Sequence, residues 1–170
     1  MRTKLLFYTL AFFLISLIFS QITELFEKEK LKKLRYQSGV IQDFTLIGVN
    51  SDRYILKGKK IVEKKTGFII DGFDLIYKTP EEDIYIKSDR GIYDKKRDTL
   101  DLIHNVRIFT KDMKLKTEFL TILVNERRAF NSSPVEITGK EMFTEGRNIF
   151  MNLKKETLKL EDVRTVFRGG

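Results

Sequence analysis

Alternating runs of apolar and polar residues recur along most of the chain, each opening just after a pair of turn-forming or polar residues. Phe73-Asp74-Leu75-Ile76-Tyr77 follows Asp71-Gly72, and Val106-Arg107-Ile108-Phe109-Thr110 follows His104-Asn105. Val135-Glu136-Ile137 follows Ser133-Pro134, and Val163-Arg164-Thr165-Val166-Phe167 follows Glu161-Asp162. Successive copies start 33, 29 and 28 residues apart. A period of this size predicts stacked β units, each burying its apolar face only against its neighbours. Such a stack has an elongated interior and two open ends.

Each of the first three copies is followed by a small or hydroxylic landmark (Ser88, Thr117, Thr144) and then an apolar run that closes on Asp94, Asn125 or Asn152. Asp and Asn bond their own backbone and tolerate left-handed conformations, so they predict turns at these points. A basic pair comes next each time, Lys95-Lys96, Arg127-Arg128 and Lys154-Lys155. The chain then re-enters an alternating strand, as at Leu100-Asp101-Leu102 and Leu158-Lys159-Leu160. The unit is a hairpin with a charged tip. His104-Asn105 and Ser132-Ser133-Pro134 read as turn chemistry, and Glu81-Glu82-Asp83 after Pro80 as a solvated hairpin tip.

The first 22 residues break the pattern. Leu5 to Phe19 is interrupted only by Thr9 and Ser16, and extending the same helix through Ile22, Leu25 and Phe26 gives 22 residues, about 33 Å at ~1.5 Å per residue, enough to span a bilayer. Cleavage after Ser20 would put Ile18 where a signal peptidase needs a small residue, which favours an uncleaved anchor. Residues 23–39 read as a charged helical stalk that Ser38-Gly39 ends, and 40–170 as one β domain. Arg2 and Lys4 precede the apolar run while Lys28, Lys30, Lys32, Lys33 and Arg35 follow it, so counting basic residues leaves the orientation open.

Composition narrows the chemistry. The 170 residues contain no Cys and one His, which excludes disulfide scaffolds, zinc ribbons and thiol redox sites. No Gly-rich phosphate loop, G-x-S-x-G elbow or H-E-x-x-H helix is present, so no catalytic residue, metal ligand or cofactor is expected. The net charge of +8 suits phosphate-bearing ligands. No aromatic-interleaved basic motif accompanies it, which argues against nucleic acid.

A membrane-spanning segment followed by Gly39-Val40-Ile41-Gln42-Asp43-Phe44-Thr45-Leu46-Ile47-Gly48, Tyr54-Ile55-Leu56, Ser88-Asp89-Arg90-Gly91-Ile92-Tyr93-Asp94, Leu100-Asp101-Leu102 and Asn105-Val106-Arg107-Ile108 resembles the LptC family. His104 departs from the Gly that related repeats often carry before Asn-Val. The resemblance covers essentially the whole chain. It implies an all-β fold, a twisted OstA-like β-jellyroll of stacked antiparallel strands, behind one N-terminal transmembrane helix. It also implies a single-pass protein of the inner membrane with its C-terminal domain in the periplasm, working in lipopolysaccharide export. By analogy the chain accepts lipopolysaccharide from an inner-membrane ABC transporter complex (LptB2FG-like), contacted through the anchor and N-terminal edge. It passes the lipid along a hydrophobic β groove to a soluble periplasmic LptA-like bridging protein at the C-terminal edge, and it is not an enzyme.

The residue pattern suits that role. Alternation places Phe44, Leu46, Tyr54 and Leu56 inward near the start of the β domain. It does the same for Phe73, Leu75, Tyr77, Ile84, Ile86, Leu100, Leu102, Val106, Ile108 and Leu115 in the middle, and for Val135, Ile137, Ile149, Met151, Leu158, Leu160 and Val163 toward the end. All but Leu100, Leu158 and Val163 are groove candidates for lipid. Each would equally serve a plain sandwich core; together, 14 Phe and 6 Tyr without Trp suit an interior that parts for acyl chains. Each buried methylene contributes ~0.8 kcal/mol, so acyl chains need no polar site. Val163, Arg164, Thr165, Val166 and Phe167 form an expected edge strand, with neither proline nor dense charge to blunt it, and thus a site for strand addition by a partner. The competing reading is an anchored β scaffold that recruits periplasmic partners through strand edges without handling lipid.

Overall fold

The structure, a computed structural model, describes residues 15, 18–25, 39–49, 53–78, 82–126, 128–152, 155 and 157–168. The rest of the expected anchor and nearly all of the expected stalk lie outside the described residues, as do Glu81, Arg127 and Lys154. Ten strands follow Gly39: β1 (Val40–Val49), β2 (Arg53–Lys64), β3 (Gly67–Lys78), β4 (Asp83–Asp94), β5 (Thr99–Phe109), β6 (Lys114–Leu123), β7 (Arg128–Phe130), β8 (Val135–Thr138), β9 (Met142–Asn152) and β10 (Thr157–Phe167). They form one antiparallel sheet in chain order. The short β7 and β8 both pair β6 on one side and β9 on the other, so they are two pieces of a single interrupted strand.

The Asx residues end strands as expected. At the β4–β5 tip the Asp94 carboxylate accepts from the backbone N–H groups of Lys96 at 2.8 Å and Arg97 at 3.3 Å. At the β9–β10 tip the Asn152 side chain accepts from the Lys155 N–H at 3.1 Å. Both replace backbone partners that a tight turn leaves unpaired.

The landmarks that open the repeat prove to be something else. Asp71-Gly72, His104-Asn105 and Glu161-Asp162 lie inside β3, β5 and β10, not in turns between strands. Gly72, His104, Asn105 and Asp162 all have left-handed backbones, with φ between 50° and 68°, as do Asn148 in β9 at 51° and Asp43 in β1 at 46°. Short polar residues and glycine tolerate this conformation and β-branched residues do not. His104 and Asn105 together face the single residue Glu118 on β6, a β-bulge. Aligned across the sheet, these kinks divide every long strand into two halves. Only between β7 and β8 does the chain break outright, at Asn131-Ser132-Ser133-Pro134.

A kink of one residue reverses the face on which alternation continues. In β3 the buried residues run Phe68, Ile70 and then Phe73, Leu75, Tyr77; in β6 they run Leu115, Thr117 and then Leu120, Ile122. The alternation expected from Leu56 or Phe73 alone therefore misses Ile61, Phe68 and Ile70, all buried.

The sheet folds over along this line. Tyr54 pairs with Tyr77 and Tyr77 with Ile84, so Tyr54 lies level with Ile84, nine residues from Tyr93 on β4. In a flat sheet that separation is about 30 Å at ~3.3 Å per residue. Yet one helical segment, residues 15 and 18–25, meets both: the Tyr54 hydroxyl bonds the Gln21 side chain, and the Phe19 ring stacks on Tyr93 with centroids 4.6 Å apart. Residues two apart on a helix project about 200° apart, and a helix with its side chains is only about 10–12 Å wide. The helix is thus gripped between the two halves of the sheet. Ile15, Ile18, Phe19 and Ile22 form its buried stripe, and they join the inward residues of both halves in one hydrophobic core.

Candidate functional site

The interior is apolar along the full run of strands. Tyr54, Leu56, Phe73, Leu75, Tyr77, Ile84, Ile86, Leu100, Leu102, Val106, Ile108, Leu115, Val135, Ile137, Ile149 and Met151 are buried, from β2 to β9. Phe44, Leu46, Leu158 and Leu160 are half-buried and pack on that core from the two outermost strands. Val163, expected inward, is instead 53% exposed: it follows the Asp162 kink in the terminal strand, and no further strand covers it among the described residues.

The hydroxylic landmarks Ser88, Thr117 and Thr144 face inward and are buried where the strands kink. Ser88 Oγ donates to the Arg90 carbonyl at 3.0 Å and Thr117 Oγ1 to the Pro134 carbonyl at 2.9 Å. Asn131 Nδ2 in turn donates to Thr117 Oγ1 and to the Phe119 carbonyl, both at 2.7 Å. These side chains satisfy backbone groups that the bulges remove from the ladder, which keeps an otherwise apolar interior free of unpaired carbonyls at those points. On the outer surface the kinks are tied by Asn105 to Asp89 at 2.8 Å, Asn148 to Glu161 at 2.6 Å and Arg90 to Asp71 at 2.7 Å. His104, whose role the sequence leaves open, stands exposed with Nδ1 3.5 Å from Glu118.

The two ends of the sheet differ. At the β1 end, Phe68 and Tyr93 form an aromatic wall, their rings 6.3 Å apart and nearly parallel, and Tyr54 meets the helix from the opposite half of the sheet. Burial raises the pKa of Tyr54. Tyr93 is pushed up to about 12, first by burial and then by its 3.0 Å hydrogen bond to Asp98 and the negative charge of that carboxylate and Asp94. At the other end, every residue of β10 from Glu161 to Phe167 is exposed, with Val166 at 45% and Phe167 at 75%. Among the described residues β10 pairs only with β9, and its inward link beyond Leu160 is polar, a 3.0 Å hydrogen bond between the Thr165 and Thr144 hydroxyls.

Because the sheet is an antiparallel meander, its alternate tips lie at one end of the strands. The β2–β3, β4–β5, β6–β7 and β9–β10 connections share that end, where Lys65, Lys95-Lys96-Arg97 and Lys155 lie in the connections and Arg128 opens β7. Lys65 extends the basic series that spacing alone had located at three tips. Lys95 reaches back over the Phe68 ring, its ammonium 4.9 Å from the centroid.

The fold is a jellyroll-like antiparallel sheet, folded over an apolar interior and ending in an exposed strand. The family model for lipopolysaccharide assembly, LptC-related, matches residues 8–168, and the chain belongs to the LptC family. No curated protein matches the chain. Membership places it in lipopolysaccharide transport, among components that are not known as enzymes. The family is in general anchored in the inner membrane with a periplasmic domain. Among the described residues of this chain, no helix is long and apolar enough to cross a membrane.

Proposed function

We propose that this chain is an inner-membrane-anchored, periplasmic carrier that takes the acyl chains of lipopolysaccharide from an ABC transporter complex into the folded sheet. It then delivers them to a soluble bridging protein at β10. Residues 1–22 supply the anchor and residues 40–170 the carrier domain. The observation that carries the reading is the predominantly apolar lining from Leu56 on β2 to Met151 on β9, which leads to a terminal strand exposing Val163, Val166 and Phe167. Acyl chains bind such a lining through area alone. The free edge of β10 offers a row of backbone donors and acceptors to an incoming strand, with Val163 and Phe167 to set its register.

Full-length protein purified from membranes, with bound lipid identified by mass spectrometry, tests this against an edge-recruiting scaffold that handles no lipid. Lipopolysaccharide retained in proportion to protein supports the carrier. Partner proteins recovered with no glycolipid would instead establish the scaffold, a reading favoured by the exposure of β10.

A further inference from the structure

The helix that carries Ile15, Ile18, Phe19 and Ile22 fills space a carrier needs open. Its four buried residues recur at i, i+3, i+4 and i+7, one stripe of a helix, and each is at most 2% exposed. The stripe reaches the aromatic wall: Phe19 stacks on Tyr93, and Gln21 bonds Tyr54 from the opposite half of the sheet. An apolar rod lying between two apolar half-sheets occupies the volume that acyl chains would take, and it meets them with the same kind of surface.

We propose that this helix and the acyl chains of the transported lipid are alternative occupants of one seat, walled by Tyr54, Phe68 and Tyr93 at the β1 end of the interior. The inference rests on the carrier reading above. The helix belongs to an apolar run long enough to span a bilayer. In the seat only one stripe of it is covered, with Ser20 and Leu25 exposed, whereas a bilayer covers every face. Insertion into the membrane therefore draws the helix out and opens the seat to lipid. A chain whose helix is not inserted fills its own interior, so that lipid enters only by displacing the helix.

The chain has no cysteine, so a cysteine pair reports on the seat without interference. Full-length protein carrying Phe19→Cys and Tyr93→Cys is made by cell-free synthesis without membranes and treated with a short, reducible thiol-to-thiol cross-linker. It is then offered a fluorescent long-chain fatty acid. A second pair, Gln21→Cys with Tyr54→Cys, leaves the Phe19–Tyr93 stack intact and guards against a packing defect from the first. The expected results are cross-linking of both pairs, at least tenfold weaker uptake of the fatty acid while cross-linked, and recovery on reduction. Synthesis in the presence of phosphatidylethanolamine–phosphatidylglycerol vesicles should abolish cross-linking of both pairs. No cross-linking without vesicles, or equal cross-linking with and without them, overturns the proposal. Cross-linking that leaves uptake unchanged overturns the shared seat while the carrier reading stands. A reduced protein that takes up no fatty acid overturns the carrier reading instead.

Discussion

The β1 and β10 ends of the folded sheet solve the same problem in opposite ways. An open sheet folded over an apolar interior leaves that interior exposed at both ends of the stack. At the β1 end the chain closes it with its own material: the Phe19 ring on Tyr93, the Ile15–Ile22 stripe between the halves, and Tyr54 and Tyr93, whose pKa values burial raises. At the β10 end nothing comparable is placed among the described residues. Leu158 and Leu160 are half-buried, the next inward link is a pair of threonine hydroxyls, and Val163, Val166 and Phe167 face solvent. A terminal strand that exposes Val163, Val166 and Phe167 is an aggregation hazard unless something pairs with it. The contrast separates an end that the chain closes with its own residues from one that the described residues leave open.

Matched truncations should break or sharpen this contrast most strongly. Leu56→Ala, at a fully buried position of β2, should lower unfolding free energy by about 2–5 kcal/mol, whereas Leu160→Ala, half-buried on β10, should cost about 1 kcal/mol. Chemical denaturation of the two variants measures both; equal losses would mean that the ends are equally closed. The next largest effect concerns binding. Removing residues 163–170 should weaken association with the soluble bridging partner by more than about tenfold, the equivalent of ~1.4 kcal/mol, while the remaining sheet keeps its cooperative unfolding transition. Unchanged affinity, or collapse of the truncated protein, would assign β10 to the core.

The kinks give a smaller, local effect. Asn105 holds φ at 51° and ties β5 to Asp89, so Asn105→Val should destabilise the protein by about 1–2 kcal/mol, while Asn105→Gly should stay within about 1 kcal/mol of the parent. Equal costs for the two substitutions would show that the left-handed backbone is not what Asn105 supplies. The smallest effect is confined to the β1 end. Tyr93 has an ordinary value of 10.0 when unfolded and about 12 when folded, so the folded state holds the proton more tightly. Its contribution is fully present below pH 10 and fades as pH rises through 12. With part of the ring solvated it amounts to about 1 kcal/mol. Stability measured from pH 9 to 12 should fall less steeply in Tyr93→Phe; parallel curves would remove Tyr93 from the account.

Much of this was legible in the sequence, and what was not has a physical cause. Asp94 and Asn152 announced their turns because an Asx side chain bonds backbone N–H groups within a few residues, a local interaction. Asp71-Gly72, His104-Asn105 and Glu161-Asp162 carried the same turn vocabulary, but left-handed residues also make bulges, and only pairing with neighbouring strands decides between the two. That ambiguity hid Phe68 and Ile70. Their alternation is out of step with Phe73 by one residue across Gly72, and the odd interval between two apolar series was the available signal. The same signal links Asp43 with Phe44, an earlier copy of the repeat that the count of four passed over. The seat of the N-terminal helix was beyond reach, since an apolar run reads identically whether bilayer or protein covers it.

The central claim is that one face of the folded sheet handles lipid and the other does not. Photo-crosslinking residues placed at Phe73, Ile108 and Ile137, all buried, and at Arg107 and Glu136, both exposed, test it within intact, energised membranes. Labelling of lipopolysaccharide at the three inward positions, dependent on ATP and absent at the two outward ones, is the predicted result; equal labelling of both faces would contradict it.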